Sequence, residues 1–298
     1  MLALALVSVA AGGSAWELHA PLPEPRTEVA AAVAGGTIVA VGGFRSSGAN
    51  SARADAYSIS GDRWSRLPDL PLAVDHAAAA SANGRIFVLG GYGGDRRPLR
   101  AVSVLEARRW RALAPMPEAR AAAAAAVTGG VLYVVGGVDG RGGLARATLA
   151  LDLASGRWSR LPGPTPREHL AAAAAGGRIY ALGGRTAGYD TNRALLEVYR
   201  PGTRSWSCLP PVPKPRGGTG AAVVSGRLVS VGGEEPAGSI GSVFAYSPVA
   251  RRWHRLADLP TPRHGLGVVG YRDRVYAVAG GPRPGLTTSG AVESLTVP

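Results

Sequence analysis

The stretch Arg167-Glu-His-Leu-Ala-Ala-Ala-Ala-Ala-Gly-Gly-Arg-Ile-Tyr-Ala-Leu-Gly-Gly184 decides the fold, because variants of it recur along the chain of 298 residues. Its final pair of small residues returns at intervals of 46 to 49 residues, beginning at Gly42, Gly90, Gly136, Gly183, Gly232 and Ala279. A tryptophan keeps nearly the same interval, at Trp16, Trp64, Trp110, Trp158, Trp206 and Trp253. A fixed period of about 20 to 50 residues indicates a repeat architecture.

Each repeat contains four short segments that we predict to be strands, because Gly, Pro and Asn-Gly turn residues bound them. We name these strands a to d. Strand a covers residues 76–82 and strand b residues 85–91, while residues 54–60 and 64–67 of the preceding unit represent strands c and d. The alanine runs of strand a are too short to offset the cost of helix nucleation. Their small side chains suit the crowded axis of a radial array, so strand a is predicted to lie nearest that axis.

Several features together resemble kelch repeats. An aromatic residue (Phe87, Tyr133, Tyr180) precedes the Gly-Gly pair by three positions, a tryptophan follows about 22 residues later, and Pro-x-Pro-Arg leads to the next strand. The resemblance covers residues 16–298 and implies a β-propeller. Kelch propellers include enzymes, lectin-like binders and protein adaptors, so the resemblance implies little about activity.

Counting the strands predicts an all-β, six-bladed kelch β-propeller with four-stranded antiparallel blades. Strand d occurs first at Trp16, before any complete unit, and the last strand c, residues 291–297, has no strand d after it. We therefore expect residues 16–20 to pair with residues 291–297 and close the ring, which would remove its open edges. Residues 16–298 form a single domain in this prediction, and we expect a monomer.

Residues 1–15 are predicted to be a signal peptide or a disordered leader. An apolar run at 2–11 precedes small residues, although the usual positive start is missing. The run is too short to span a membrane. A secreted or periplasmic location is therefore favoured over the cytoplasm, the alternative being that this segment is a decayed strand c. The single cysteine, Cys208, cannot form an intrachain disulfide and leaves the compartment open.

The formal net charge of +13 comes almost entirely from arginine, because Lys214 is the only lysine. Two interpretations are open: arginines spread evenly over the surface, or a clustered stripe that binds polyanions. No run of basic residues occurs, so we expect no specific nucleic-acid site.

Alternation of antiparallel strands places the d-to-a and b-to-c connections on one face, which we call face X. The a-to-b and c-to-d turns on the opposite face are short and uniform. Face X carries the variable b-to-c loops, at residues 44–51, 92–100, 138–144, 185–193, 234–240 and 282–288. Variable loops on a rigid scaffold are where binding residues usually lie.

Aligning the repeats on their tryptophans places an arginine just before strand a in five of six units. These residues are Arg26, Arg120, Arg167, Arg216 and Arg263. Around the mouth of the central channel they would form a positive funnel for carboxylates or phosphates. The alternative is that each arginine anchors its own loop by bonding to nearby carbonyl groups, which is where kelch repeats commonly carry arginine.

Two positions further on, the same alignment gives Glu28, His76, Ala122, His169, Gly218 and Gly265. With Asp75, Glu168 and His264 one position earlier, titratable side chains from several blades are predicted to line the channel. His76 and His169 are expected to bind ligand with the arginines, or to be ordinary hydrogen-bonded rim residues. A metal site formed by His76, His169 and a carboxylate is a further alternative, but these residues lie in different blades without local ligand spacing, so we expect no metal and no cofactor. The tyrosine-cysteine copper centre of some kelch oxidases does not carry over, because Cys208 lies on an outer strand.

A binding module is favoured over an enzyme, and we expect it to bind a protein partner or an anionic small-molecule or carbohydrate ligand on face X. An alternative is an exported sugar-acid mutarotase similar to bacterial kelch sialic-acid epimerases. Resemblance to those enzymes implies that an arginine holds the carboxylate while a Glu or His moves a proton. The candidates are Arg167, His169, Glu28, Glu234 and Glu235. A purely structural repeat protein is the third possibility, and it predicts a face X without a concave pocket.

Overall fold

The computed structural model describes residues 15–298, and the first fourteen residues of the predicted leader lie outside the described part. The described chain begins with β1 (Glu17–His19). Blade 1 consists of β2 (Ala30–Ala34), β3 (Thr37–Val41), β4 (Ala54–Ser58) and β5 (Arg63–Arg66), and blade 2 of β6 (Ala78–Ala82), β7 (Arg85–Leu89), β8 (Val102–Glu106) and β9 (Arg109–Ala112). Blade 3 follows a short strand β10 (Arg120–Ala121) and consists of β11 (Ala124–Thr128), β12 (Val131–Val135), β14 (Ala147–Asp152) and β15 (Trp158–Pro162), with β13 (Val138–Asp139) pairing to β10.

Blade 4 consists of β16 (Glu168–Ala175), β17 (Arg178–Arg185), β18 (Leu196–Arg200) and β19 (Ser205–Leu209), with a 3-10 turn at Tyr189–Thr191. Blade 5 consists of β20 (Gly220–Val224), β21 (Arg227–Val231), β24 (Phe244–Ser247) and β25 (Arg252–Arg255), and contains a small hairpin of β22 (Glu234–Glu235) and β23 (Gly238–Ser239). Blade 6 consists of β26 (Gly267–Tyr271), β27 (Arg274–Val278) and β28 (Val292–Thr296). The predicted all-β, six-bladed architecture is confirmed.

The fourth strand of blade 6 comes from the other end of the chain. Strand β1 pairs antiparallel with β28, with Glu17 opposite Ser294 and His19 opposite Val292. His19 Nε2 also lies 2.7 Å from the Ser294 hydroxyl, and Arg274 of the same blade forms an ion pair with Glu17 at 2.8 Å. The edge of β28 is therefore covered by a strand that precedes it by more than 270 residues.

The innermost strands β2, β6, β11, β16, β20 and β26 contact one another in a cycle around the axis. Crowding there explains their small residues. A Cβ atom on Gly220 would come within 2.2 Å of Val268, and one on Gly267 within 2.4 Å of Ala31. The innermost strands are therefore rich in alanine and glycine, because the space between neighbouring blades admits at most a small side chain.

The hydrophobic core lies between the blades. Six clusters of buried residues each join two neighbouring blades, as where Val229 and Val231 of blade 5 pack with Val275 and Leu295 of blade 6. Burial of apolar surface at all six interfaces stabilises the ring.

Among the described residues, no helix is long and apolar enough to cross a membrane.

The repeat tryptophans tie each blade to the one before it. Every indole N–H donates to a backbone carbonyl at or just beyond the end of strand d of the preceding blade. The pairs are Trp16 with Ala257, Trp64 with Ala20, Trp110 with Pro68, Trp158 with Ala114, Trp206 with Pro162 and Trp253 with Pro210, at 2.8 to 3.2 Å. Trp16 thereby joins blade 6 to blade 5 in the same way as the other tryptophans join their own blades to the preceding ones.

Candidate functional site

The five aligned arginines do not line the channel mouth. Arg26, Arg120, Arg167, Arg216 and Arg263 are the largest fully buried side chains among the described residues. The predicted positive funnel is therefore wrong, because these guanidinium groups are withdrawn from solvent. Their contacts support the alternative interpretation, in which each arginine anchors its loop.

The buried guanidinium groups donate hydrogen bonds to carboxylates and to backbone carbonyl oxygens. Arg26 pairs with Asp55 at 2.6 Å and Arg263 with Glu293 at 2.7 Å, while Arg167 pairs with Glu197. In these three cases the carboxylate lies 29 or 30 residues downstream on strand c, a spacing that the sequence contains and that would have revealed the pairs.

The other two buried arginines, Arg120 and Arg216, have different hydrogen-bond partners. Arg120 bonds to Glu118 at 2.6 Å and to backbone carbonyls. Arg216 donates to the carbonyl of Ser242 at 2.9 Å and to its hydroxyl at 3.0 Å. Burial lowers the pKa of Arg216 to about 10, so its guanidinium remains charged at neutral pH.

The residues two positions further on form a ring around the axis, which we call the inner ring. Glu28, His76, Ala122, His169, Gly218 and Gly265 all have left-handed backbone conformations, with φ between 50° and 63°. Such a conformation costs a residue other than glycine about 1 to 2 kcal/mol. It is held here by backbone hydrogen bonds that run from blade to blade.

Five of these bonds connect one inner-ring residue to the next, and Val29, next to Glu28, donates the bond that closes the ring. The donors and acceptors are His76 N to Glu28 O, Ala122 N to His76 O, His169 N to Ala122 O, Gly218 N to His169 O, Gly265 N to Gly218 O and Val29 N to Gly265 O, at 2.9 to 3.2 Å. In five blades strand a begins two residues after this left-handed position, whereas in blade 4 β16 already begins at Glu168. The inner-ring residues therefore lie at the start of strand a, at the channel mouth.

A second ring consists of the residue directly after each pair of small residues: Phe44, Tyr92, Val138, Arg185, Glu234 and Gly281. Each pairs with the residue that precedes the inner-ring position of its blade, as Tyr92 does with Asp75 and Arg185 with Glu168. Sequence reasoning overlooked Tyr92 and Arg185 as site residues. Their constant position after the Gly-Gly pair is the signal that could have found them.

Three inner-ring side chains meet at the mouth. Glu28 Oε2 lies 3.3 Å from His76 Nε2, and the rings of His76 and His169 contact edge to face with centroids 4.8 Å apart. They can meet across blade 3 because the residue between the two histidines is Ala122. The mouth leads into a cavity of about 140 Å³ whose remaining wall is mostly alanine.

A carboxylate stands behind each histidine. Asp75 accepts a hydrogen bond from His76 Nδ1 and is itself bound by Arg96 at 3.0 Å. Glu168 Oε1 lies 3.1 Å from His169 Nδ1, though outside hydrogen-bonding geometry, and accepts a bond from Arg185 Nε at 3.2 Å. These outer contacts orient both imidazole rings.

Glu234 and His264 complete the cluster. Arg185 Nη1 donates to Glu234 Oε1 at 2.6 Å, and the backbone N–H of Gly285 in the blade 6 loop donates to Glu234 Oε2 at 3.3 Å. His264 Nε2 lies 3.8 Å from Glu28 and 3.7 Å from Glu234. The predicted Glu235 points elsewhere, since it pairs with Lys214 at 2.6 Å.

The surroundings of His76 and His169 shift the pKa values of the two imidazoles in opposite directions. Burial alone would lower the pKa of His76, but Glu28 and Asp75 outweigh it and raise this pKa above its ordinary value. Burial lowers the pKa of His169, and the neighbouring His76 and Arg185 add to that effect. Burial favours the neutral acid of Glu28, yet the histidines and Arg185 hold its pKa at about 2.

The mutarotase interpretation requires an arginine at the channel mouth to hold the substrate carboxylate, and Arg167 does not lie there. Arg167 is buried against Glu197 and cannot hold a substrate carboxylate at the mouth, so that assignment is wrong. Glu28 and His169 do meet there. The cavity of about 140 Å³ is smaller than the roughly 300 Å³ at which small-molecule pockets begin.

Comparison with protein families gives two matches. The family model described as the KLHDC2/KLHL20/DRC7 Kelch-repeats domain matches residues 102–281, and the model described as Kelch motif matches residues 25–71. No curated protein matches the chain.

Proposed function

Because the chain belongs to the kelch-repeat family, whose propellers commonly serve as protein-interaction modules, we propose that it binds an acidic segment of a partner protein on face X. The loops of face X, rather than the buried arginines, would make the contact. The fold supplies a rigid base on which these loops differ from blade to blade.

Exposed apolar side chains on face X are the observation that carries this proposal. Of five large hydrophobic residues exposed in the described chain, Leu72, Tyr189 and Leu286 lie in d-to-a or b-to-c loops, and only Val249 lies in a turn of the opposite face. Leu286 also approaches Gly48, which joins the loops of blades 6 and 1. Aromatic and aliphatic side chains that become buried on binding usually contribute most of the affinity at an interface.

Charge favours an acidic partner. Arg45, Arg97, Arg141 and Arg283 are exposed in the b-to-c loops of four blades. Arginines such as Arg157 and Arg204 are equally exposed in turns of the opposite face, so charge alone does not select face X. The combination of apolar side chains with arginines supports face X, since an acidic segment with apolar residues would contact both.

The test begins with peptides selected from a random displayed library against the purified protein. We expect the selected peptides to be acidic and to contain an aromatic or aliphatic residue. The double variant Tyr189→Ala/Leu286→Ala should weaken binding at least about tenfold, since anchor residues contribute more than about 1.4 kcal/mol. Arg141→Ala/Arg283→Ala should also weaken binding, by a factor that shrinks as salt increases.

The matched control is Val249→Ala/Arg204→Ala, which removes one apolar and one basic side chain from the opposite face. Its affinity for the selected peptides should equal that of the unaltered protein. Peptides that bind both face X variants undiminished, or that lose affinity only in the control, would refute the proposal.

A further inference from the structure

We propose that Glu28, His76 and His169 bind one divalent transition-metal ion, such as Zn²⁺, at the mouth of the channel on face X. The inference is independent of the partner-binding proposal, because it concerns side chains at the bottom of the loops rather than at their tips. It rests on the ligand atoms, the groups behind them, the charge of the cluster and a third buried histidine beside it.

The ligand atoms are already close together. One atom from each of the three side chains lies within 4.8 Å of the other two, and the Glu28 to His76 pair stands at 3.3 Å. Bonds of about 2.0 to 2.2 Å in a tetrahedral zinc site place ligand atoms roughly 3.3 to 3.6 Å apart. Only a small closure of side-chain ends is therefore required, and the three side chains are 8 to 12% exposed.

The groups behind the histidines match those of metal ligands. A metal-bound histidine almost always presents its second ring nitrogen to a carboxylate or carbonyl group. Asp75 accepts from Nδ1 of His76, and Glu168 faces Nδ1 of His169. Both arrangements leave Nε2 as the nitrogen available to an ion, and His76 Nε2 is the atom that faces Glu28.

The charge of the cluster calls for a cation. Four carboxylates, Glu28, Asp75, Glu168 and Glu234, face two guanidinium groups, those of Arg96 and Arg185. Histidines that ligate a metal ion are neutral, and the cluster then carries two excess negative charges, which one divalent ion would balance. Buried charges are otherwise costly unless they are paired.

A third buried histidine borders the same place. His264 is only 2% exposed, and its Nε2 lies 3.8 Å from Glu28 and 3.7 Å from Glu234, beyond hydrogen-bonding distance of both. Space therefore remains between this imidazole and the two carboxylates. The cavity of about 140 Å³ has room for an ion and several waters.

The ligand types restrict the ion. Two imidazoles with one carboxylate suit zinc and other first-row transition ions, whereas Mg²⁺ and Ca²⁺ prefer oxygen ligands throughout. Zn²⁺ and Co²⁺ are therefore the probes of choice, and Mg²⁺ is the comparison ion.

The experiment titrates untagged, chelator-treated protein with Zn²⁺ by calorimetry and with Co²⁺ by visible absorption. Cys208→Ser is the background for all variants, because its exposed thiol is itself a metal ligand. We expect one Zn²⁺ per chain, no competition from Mg²⁺, and a Co²⁺ spectrum of low coordination number without thiolate absorption.

The variants are His76→Ala/His169→Ala and Glu28→Gln. Alanine should keep the backbone, since Ala122 already occupies the equivalent left-handed position. The double variant should lose at least about 100-fold in Zn²⁺ affinity, since even outer groups change affinity about 10- to 100-fold. His254→Ala, on an outer strand, is the matched control and should bind like the background.

Absence of Zn²⁺ binding by the background protein would overturn the proposal. So would binding that survives in the double variant, or binding lost equally in His254→Ala. If the double variant does not fold, as judged by circular dichroism, Glu28→Gln and the Co²⁺ spectrum still decide. An unchanged affinity in Glu28→Gln together with an unchanged spectrum would exclude this site.

Discussion

Arg26 Nη2 donates a hydrogen bond to Asp55 Oδ2 at 2.6 Å, and neither side chain is exposed to solvent. Asp55 is the second residue of strand c, β4, while Arg26 belongs to the loop that leads to blade 1. Glu197 and Glu293 hold the same strand position in blades 4 and 6, where they pair with Arg167 and Arg263. The ion pairs therefore fasten the d-to-a loop of three blades against strand c.

Replacing Asp55 with asparagine should destabilise the protein strongly. The change leaves the guanidinium of Arg26 buried without its counter-charge, which costs about 3 to 5 kcal/mol in comparable cases. The free energy of unfolding in urea is the measurement. Asp69→Asn, which removes the exposed partner of Arg66, is the control and should change that free energy by less than about 1 kcal/mol. Equal losses in the two variants would contradict the structural role assigned to the buried pair.

Removing residues 1–20 should destabilise blade 6. The deletion takes away β1 and the bond from Trp16 to Ala257, and it leaves β28 as an open edge that favours pairing between chains. We expect a lower melting temperature and self-association that grows with concentration, measured by light scattering. Deletion of residues 1–14 alone keeps all these contacts and serves as the control. A monomer of unchanged melting temperature after the longer deletion would show that β1 is dispensable.

Comparing Gly265→Ala with Gly218→Ala should distinguish the effect of backbone strain on stability from the effect of displacing the Glu28 side chain. Both glycines are left-handed, so each alanine costs about 1 to 2 kcal/mol. A Cβ atom on Gly265 would also lie 2.5 Å from Glu28 Oε1, whereas the nearest atom to one on Gly218 lies at 3.3 Å. Gly265→Ala should therefore lose more stability and, if the metal site exists, more Zn²⁺ affinity. Equal behaviour in both assays would mean that the space over Gly265 is not needed by Glu28.

Asp75→Asn should weaken Zn²⁺ binding without removing a ligand. Asp75 orients His76 and strengthens it as a base, and loss of such a partner lowers metal affinity about 10- to 100-fold. Competition with a chromophoric chelator measures the change. Asp95→Asn alters an exposed carboxylate in the b-to-c loop of the same blade and should have no effect. A full loss of binding in Asp75→Asn, or none, would argue against its role as an outer partner.

The fold could be predicted from the sequence because its signals repeat. The tryptophans and small-residue pairs recur in every unit, so an error at one position is corrected by the other five. The aligned positions of the arginines were also correct, but their burial was not foreseen. Burial depends on a carboxylate that lies on another strand, and the alignment on tryptophans alone did not include strand c.

The channel mouth was predicted only in part for a related reason. Glu28, His76 and His169 share an aligned position, and this places them together as expected from a radial array. Arg185 and Glu234 reach the same point from the ends of strands b, where loops that look unrelated begin. Their contribution depends on side-chain reach across two blades, which no spacing within one repeat expresses.

The ring of backbone hydrogen bonds holds the main chain at the channel mouth without using the side chains there. Each bond joins main-chain atoms only, and the six positions already carry four different residue types, Glu, His, Ala and Gly, in one conformation. Position 122 could thus receive a new side chain without altering the bonds on either side. The main-chain frame is therefore independent of the side chain at this position, which makes position 122 a natural starting point for installing new binding chemistry in the mouth.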